Sequence, residues 1–286
     1  MISPIEILLG LLLMLGLMFF GVHVATTMLV VGLLGAVAHF GLPAFNALGE
    51  QLWAAGEDYL LLSIPLYILL GEILMRGGAT DKMYKSLADW LKRLPGGLLH
   101  TNIGASALFS AVSGSSVATA ATISTVALPS FRNRGYDQRL VLGSIAAGAS
   151  LGNLIPPGVA FIIYGSMTNT SASRLYMAGV LPGAIMTVLF LLTILAIAVW
   201  KPSVAGKPES GVSWSQRLKH SVHLAGPLGV FGVVMGGIYS GWATVTESAA
   251  LGVIVCLPIA WAYGKLNVSM LHECFRSTMR LTAMTA

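Results

Sequence analysis

Two runs of this chain, 94–131 and 140–173, contain no Asp, Glu, Lys or Arg, yet neither is a plain apolar stretch. Between 104 and 124, 16 of 21 residues are Gly, Ala, Ser or Thr, and the second run is broken by Leu-Gly-Asn-Leu-Ile-Pro-Pro-Gly. Such segments bury well against protein and poorly against lipid. Non-helical backbone at membrane depth is tolerated only where it is buried or lines a cavity. The chain must therefore supply its own apolar frame around them.

The rest of the sequence supplies it. Of 286 residues, 56% are hydrophobic and 9% charged, against about 25% charged in a soluble domain. A span needs about 20 apolar residues. Spans are expected at 5–20, 22–40, 59–75, 138–167 (interrupted), 175–200, 221–240 and 246–263. The segment 42–56 is too short to cross and reads as interfacial or dipping, with Trp53 and Tyr59 suited to an interface. Before the first span there is no Lys or Arg, so that span reads as retained rather than as a cleaved signal peptide. The fold class expected is an all-α integral membrane protein.

Basic residues set the topology. If 98–129 enters and returns without crossing, 15 of the 16 Lys and Arg residues fall on one side, with Arg174 opposite. A single crossing would flip every later loop and destroy the bias. Each arm has about 15 residues, roughly 22 Å of helix, short of a hydrocarbon core of about 30 Å. The expectation is a re-entrant hairpin turning at Ser113-Gly114-Ser115-Ser116, and an N-terminus on the periplasmic side.

The second interruption spans 150–158. Pro156 and Pro157 lack N–H donors and restrict the residues before them. Carbonyls near Gly152 and Asn153 lose their usual partners and need a polar neighbour, water or an ion. Two broken elements in one bundle are typical of secondary transporters, where unwound carbonyls hold cations and half-helix N-termini face anionic groups. Small residues and prolines also make simple packing notches and kinks. The pair, in so apolar a chain, favours the ion and solute reading.

Other features read as structural. Thr244 and Glu247 match a capping box, although an acid at a membrane edge could also take a proton or cation. Glu72 and Arg76 suit an i,i+4 ion pair. The segment 81–93 reads as an amphipathic interfacial helix. His220 and His223 lack a matching ligand cluster and are expected to snorkel or meet water. Cys256 and Cys274 give no disulfide framework, and no phosphate-binding loop followed by Lys suggests ATP hydrolysis.

The segments LLLSIPLYILLGEILMRGG (60–78), SALFSAVSGSSVATAATI (106–123), GASLGNLIPPGVAFIIYG (148–165) and GIYSGWATVTESAALGV (237–253) resemble the large membrane subunit of TRAP transporters, the tripartite ATP-independent periplasmic systems. In the last segment Val245 stands where the family usually has proline. The resemblance implies an elevator-type transporter of two inverted repeats, each with a re-entrant hairpin and a broken helix. It implies scaffold spans at 1–58 and 174–264, a span plus amphipathic helix at 59–97, the hairpin at 98–130, the broken helix at 131–173, and the start of a second transport half at 265–286. The family pattern continues well past Ala286, so the resemblance also implies a C-terminally truncated chain.

Carried over by motif, Ser113, Gly114, Ser115, Gly152 and Asn153 would hold Na⁺ as coupling ion. Ser115, Ser116, Asn153, Pro156 and Pro157 would face the solute, an organic acid such as a C4-dicarboxylate or sialic acid. Thr244 and Glu247 remain a structural cap. No transition metal, organic cofactor or nucleic acid is expected. The implied partners are a small membrane subunit, a periplasmic solute-binding protein and the lipid bilayer of a bacterial inner membrane. A passive channel is the nearer rival. A membrane-embedded enzyme is the remoter one, since the serines near 113 have no base beside them in sequence.

Overall fold

A computed structural model describes residues 3–132, 134–206 and 213–285, which build 14 α-helices joined by short turns. The basic residue Lys207 of the charge count lies outside them. Contacts divide the chain into two units, 1–58 and 59–286.

The first unit holds α1 (Pro4–Phe19), α2 (Val24–Phe40) and α3 (Pro43–Glu57). Ser3 and Glu6 close a capping box at the start of α1, where the first N–H groups have no intrahelical partner. The helix then leaves no residue buried within the chain. The short segment expected at an interface is the 15-residue helix α3.

The second unit begins with α4 (Ser63–Arg76), which starts later than expected because 60–62 form a turn closed by the Ser63 hydroxyl on the Leu60 carbonyl at 2.5 Å. Beside α4 runs α13 (Val245–Ala262). The Tyr67 hydroxyl donates to the Val245 carbonyl at 3.2 Å, and Thr246 Oγ1 donates to the Tyr59 carbonyl at 3.1 Å. At the other end Gly77 packs on Ala260, so the two helices are parallel. α14 (Val268–Thr285) lies on α4, and Arg76 bridges Glu72 at 2.9 Å and Glu273 at 2.5 Å. The pair Glu72–Arg76 is thus part of a triad that joins two helices.

The amphipathic segment is α5 (Ala79–Leu91), with Met83 and Tyr84 buried. α6 (Gly97–Ser113) and α7 (Ser116–Phe131) form an antiparallel hairpin. Its two open ends meet at Tyr136: that hydroxyl accepts from Leu98 N at 3.4 Å, and its ring stands edge-on to Phe131 at 4.9 Å. α8 (Gln138–Ser150) runs parallel to α6. A ladder of hydrogen bonds joins α5, α6 and α8, from Tyr84 Oη to Asn102 Oδ1 at 2.7 Å and from Asn102 Nδ2 to Ser144 Oγ at 2.8 Å. After a 3₁₀ turn at Leu151–Asn153 and the Pro-Pro bend, α9 (Val159–Thr168) resumes.

Among the described residues, three stretches are long and apolar enough to cross a membrane: α10 (Ala172–Trp200), the stack Trp214–Tyr239, and α13. The stack comprises α11 (Trp214–Ser221), a 3₁₀ turn and α12 (Ala225–Tyr239). Pro4–Phe19, Val24–Phe40, Ser116–Phe131 and Val159–Thr168 are shorter apolar helices. The protein is a multi-pass, all-helical membrane protein.

Candidate ion and solute site

Four helix ends converge where the hairpin tip meets the break. α6 ends at Ser113, capped by Gly114 in the left-handed region at φ +61. Ser115 is the N-cap of α7, its Oγ accepting from Ala118 N at 3.3 Å. α8 and its 3₁₀ extension end at Asn153. α9 begins after Gly158, with no side chain capping its first turn. Two partly positive N-termini and two partly negative C-termini therefore share one place.

The tip and the break interlock backbone to backbone. Val159 N donates to the Gly114 carbonyl at 3.0 Å. A Cβ on Gly114 would overlap the Pro157 carbonyl oxygen, and one on Gly152 would stand 2.6 Å from Ser116 N. On the far side, a Cβ on Gly71 of α4 would stand 2.8 Å from Ser113 Cβ. No side chain fits at these approaches without moving backbone. The peptide between Pro156 and Pro157, both buried, is cis.

Hydroxyls fill the inner side of the junction. Ser113 is fully buried, its Oγ 3.4 Å from Thr119 Oγ1. Thr119 Oγ1 also reaches Ser110 Oγ at 3.2 Å and donates to the Ser115 carbonyl at 2.8 Å. The Ser116 hydroxyl is buried without a hydrogen-bond partner, as is Ser106 Oγ two turns down α6. Asn153 is exposed. The junction thus pairs a sealed hydroxyl cluster with an accessible amide.

This chemistry is neutral. The tip and break carry no charged side chain and no histidine, so they can coordinate and orient but cannot transfer protons near neutral pH. Ser113 Oγ meets a hydroxyl rather than an imidazole or carboxylate, which leaves it without the base that activates a serine nucleophile.

Ser113, Gly114, Ser115, Ser116, Gly152, Asn153, Pro156 and Pro157 all lie at this junction. Thr244 and Glu247 lie apart, at the start of α13. There Glu247 N donates to Thr244 Oγ1 at 3.3 Å, and Thr244 N donates to Glu247 Oε2 at 2.7 Å. Val245 therefore leaves the capping box intact. Sequence reasoning missed Thr119 and Gly71. Thr119 is four residues beyond Ser115, on the same face of α7, and that spacing could have found it. Nothing local marks Gly71, whose role comes from contact with Ser113.

Residues 11–286 match the family model described as the tripartite ATP-independent periplasmic transporter, DctM component. The chain is 31% identical over 290 residues to the sialic acid TRAP transporter permease protein SiaT of Haemophilus influenzae, covering 98% of this chain and 45% of that one. It is 30% identical over 275 residues to the ectoine TRAP transporter large permease protein TeaC of Halomonas elongata, covering 95% and 63%. To the C4-dicarboxylate TRAP transporter large permease protein DctM of Pseudomonas aeruginosa it is 31% identical over 256 residues, covering 88% and 59%. The chain spans about half the length of these curated relatives. With a match that runs from the first helix to its last residue, the chain belongs to the DctM component family of tripartite ATP-independent periplasmic transporters.

Proposed function

We propose that this chain is the large permease subunit, in whole or in part, of a Na⁺-coupled secondary importer of small organic anions. The observation that carries the reading is the convergence of four helix ends on a charge-free hydroxyl cluster. A desolvated cation is held by summed neutral dipoles, and an anionic solute group is favoured at uncapped helix N-termini. Ser113, Gly114, Ser115, Gly152 and Asn153 hold Na⁺, with Thr119 behind them. Ser115, Ser116, Asn153, Pro156 and Pro157 face the solute. Sialic acid, C4-dicarboxylates and ectoine, the solutes in the relatives' names, all carry carboxylate groups, which suits the α9 N-terminus.

In this reading 98–130 is a re-entrant hairpin that moves with the broken helix as an elevator against the scaffold. The N-terminus is periplasmic, a periplasmic solute-binding protein delivers the solute, and a small membrane subunit completes the assembly.

The test is Na⁺-driven uptake in vesicles that contain the intact transporter. Ser115→Ala and Asn153→Ala should each raise the Na⁺ concentration needed for half-maximal uptake, because each removes an oxygen that the site offers the ion. Unchanged Na⁺ dependence in both variants sinks the site assignment. Uptake that fails to saturate with solute favours a channel instead.

A further inference from the structure

A second polar cluster lies at the opposite end of the hairpin from its tip, where α5 meets α11. α5 lies against α11 and the 3₁₀ turn after it. Ser86 Oγ donates to the His220 carbonyl at 2.6 Å, and Trp90 Nε1 donates to Ser221 Oγ at 2.8 Å. Lys82 stands over the Tyr263 ring at 4.0 Å, and Lys265 lies 3.9 Å from Asp81. Around these contacts stand Lys82 and Lys265, with Lys92 just after α5 and Arg217 and Lys219 on α11.

Arg217 is the anomaly. It is 5% exposed, and its Nε and Nη2 are buried without a hydrogen-bond partner. Its guanidinium carbon lies 5.6 Å from the centre of the Trp214 ring and 5.8 Å from that of Trp90, which are themselves edge-to-face at 5.7 Å. The rings thus enclose a guanidinium whose Nε and Nη2 are unused donors. Ring faces attract a cation but accept no strong hydrogen bond, and an unpaired buried charge is costly.

The adjacent carboxylate does not meet this need. Asp89 Oδ1 takes Lys92 Nζ at 3.1 Å, and Oδ2 takes His220 Nδ1 at 2.6 Å. Burial acts to raise the Asp89 pKa, but the hydrogen bonds from His220 and Lys92 outweigh it and hold the carboxyl below its ordinary value. Asp89 is therefore ionised and committed to other partners.

We propose that Arg217, walled by Trp90 and Trp214, binds the headgroup phosphate of an anionic phospholipid. The location favours lipid over a soluble ion. Trp214, 63% exposed, begins the apolar stack Trp214–Tyr239 that is long enough to cross a membrane, and tryptophan at such a position sits at headgroup depth. α5 is amphipathic and packs against the same helix. Basic pockets between membrane helices on the positively charged side suit anionic headgroups. The planar guanidinium offers Nε and Nη2 as a fork that matches two phosphate oxygens, with Lys92 and Lys219 nearby to raise the local potential. Such a lipid would tie α11, which leads into α12, to α5, which leads into the hairpin.

The intact transporter in mild detergent tests this by native mass spectrometry with dioleoylphosphatidylglycerol, dioleoylphosphatidylcholine or inorganic phosphate added. Wild type should retain phosphatidylglycerol over phosphatidylcholine by about tenfold, the size of one charge-assisted fork. Arg217→Met should bring that ratio near one. Trp214→Leu, at a ring that is largely exposed, should lower it several-fold (on the order of one lost ring contact) and covers the case in which Arg217→Met fails to fold. Lys219→Gln should change it by less than about twofold. Equal retention of the two lipids by wild type, or an unchanged ratio in Trp214→Leu and in folded Arg217→Met, overturns the proposal. So does inorganic phosphate that competes the phosphatidylglycerol away at millimolar concentration, which would make the site one for a soluble anion.

Discussion

In α6, 14 of 17 residues are buried, and Thr101, Asn102, Ser106, Ser110 and Ser113 are among them. In α10, six of 29 are buried, and the exposed ones include Leu181, Val188, Leu189 and Leu192. Water would favour the reverse, since apolar area gains about 25 cal/mol per Å² by leaving it. In lipid the gain disappears, and an unsatisfied hydroxyl becomes the costly group. α6 therefore hides its hydroxyls inside protein, with Thr101, Ser110 and Ser113 hydrogen-bonded there, while α10 can face lipid along most of its length. The difference also divides the roles: a helix that must be surrounded by protein can carry a binding site, and a helix content in lipid can serve as frame.

The largest expected effect strikes the hairpin side of that contrast. Gly114→Ala puts a methyl group into the Pro157 carbonyl at a residue with φ +61. Strain and overlap together should cost on the order of 4 kcal/mol, read as loss of the folded transporter on thermal unfolding. Gly21 also has positive φ, at +80, but nothing lies within 4 Å of its missing Cβ. Gly21→Ala should cost only about 1 kcal/mol. Equal losses in the two variants would mean that tip and break do not interlock.

The frame is tested next. Leu189→Asp, near the middle of α10 and on its exposed face, should cost about 2.5–3.5 kcal/mol if that face meets lipid. A sharp drop in the membrane-inserted fraction during translation is the expected readout. A variant that inserts and unfolds like wild type would place α10 against water or a polar partner, and the contrast with α6 would lose its cause.

A smaller effect belongs to the ladder that holds α6. Asn102→Ala removes the acceptor of the Tyr84 hydroxyl and the donor to Ser144 Oγ. Since Ser144 keeps its bond to the Val141 carbonyl at 2.8 Å, one group is orphaned outright. The cost should be about 1–2 kcal/mol. Tyr84→Phe leaves Asn102 bonded to Ser144 but strips its buried Oδ1 of a donor, and should cost no more than that, about 1–2 kcal/mol. A larger loss for Tyr84→Phe than for Asn102→Ala would show that packing of α5, rather than hydrogen bonding along α6, sets the stability.

The parts of this architecture that sequence reasoning reached are those whose cause is local. A glycine between serines turns a helix, two prolines end one, and Thr-x-x-Glu caps one, whatever surrounds them; hence the hairpin tip, the break at 150–158 and the start of α13 were all legible. The scarcity of charge and the long apolar runs carried the membrane reading. What stayed hidden depends on which helix lies beside which. His220 bonds Asp89, 131 residues away, and His223 lies 3.4 Å from the Tyr263 hydroxyl. Arg76 was expected to pair with Glu72 and gains Glu273 as well. Thr119 becomes the hub of the buried hydroxyls only because α6 and α7 fold back on each other. α11 begins earlier than the span expected at 221–240, because Ser213 caps it and Trp214 and Leu218 extend its apolar side past Lys219.

The smallest effect is the most discriminating. Leu181→Ala and Leu189→Ala remove large apolar side chains that are 68% and 49% exposed. If lipid covers them, the substituted helix trades contacts with acyl chains in the folded protein for the same contacts in an inserted but unassembled one. The stability change should then stay below about 0.5 kcal/mol. If another protein surface covers α10 in the assembled transporter, each truncation leaves a cavity and should cost about 2–5 kcal/mol, as in a packed core. Steric trapping or denaturant titration of the intact assembly separates the two cases. Ile194, 9% exposed and packed on Gly96, supplies the internal reference on the same helix. Ile194→Ala should be clearly destabilising in either case, so a flat result at all three positions would indicate an insensitive assay, whereas a loss at Leu181 and Leu189 equal to that at Ile194 would assign this face of α10 to a protein partner.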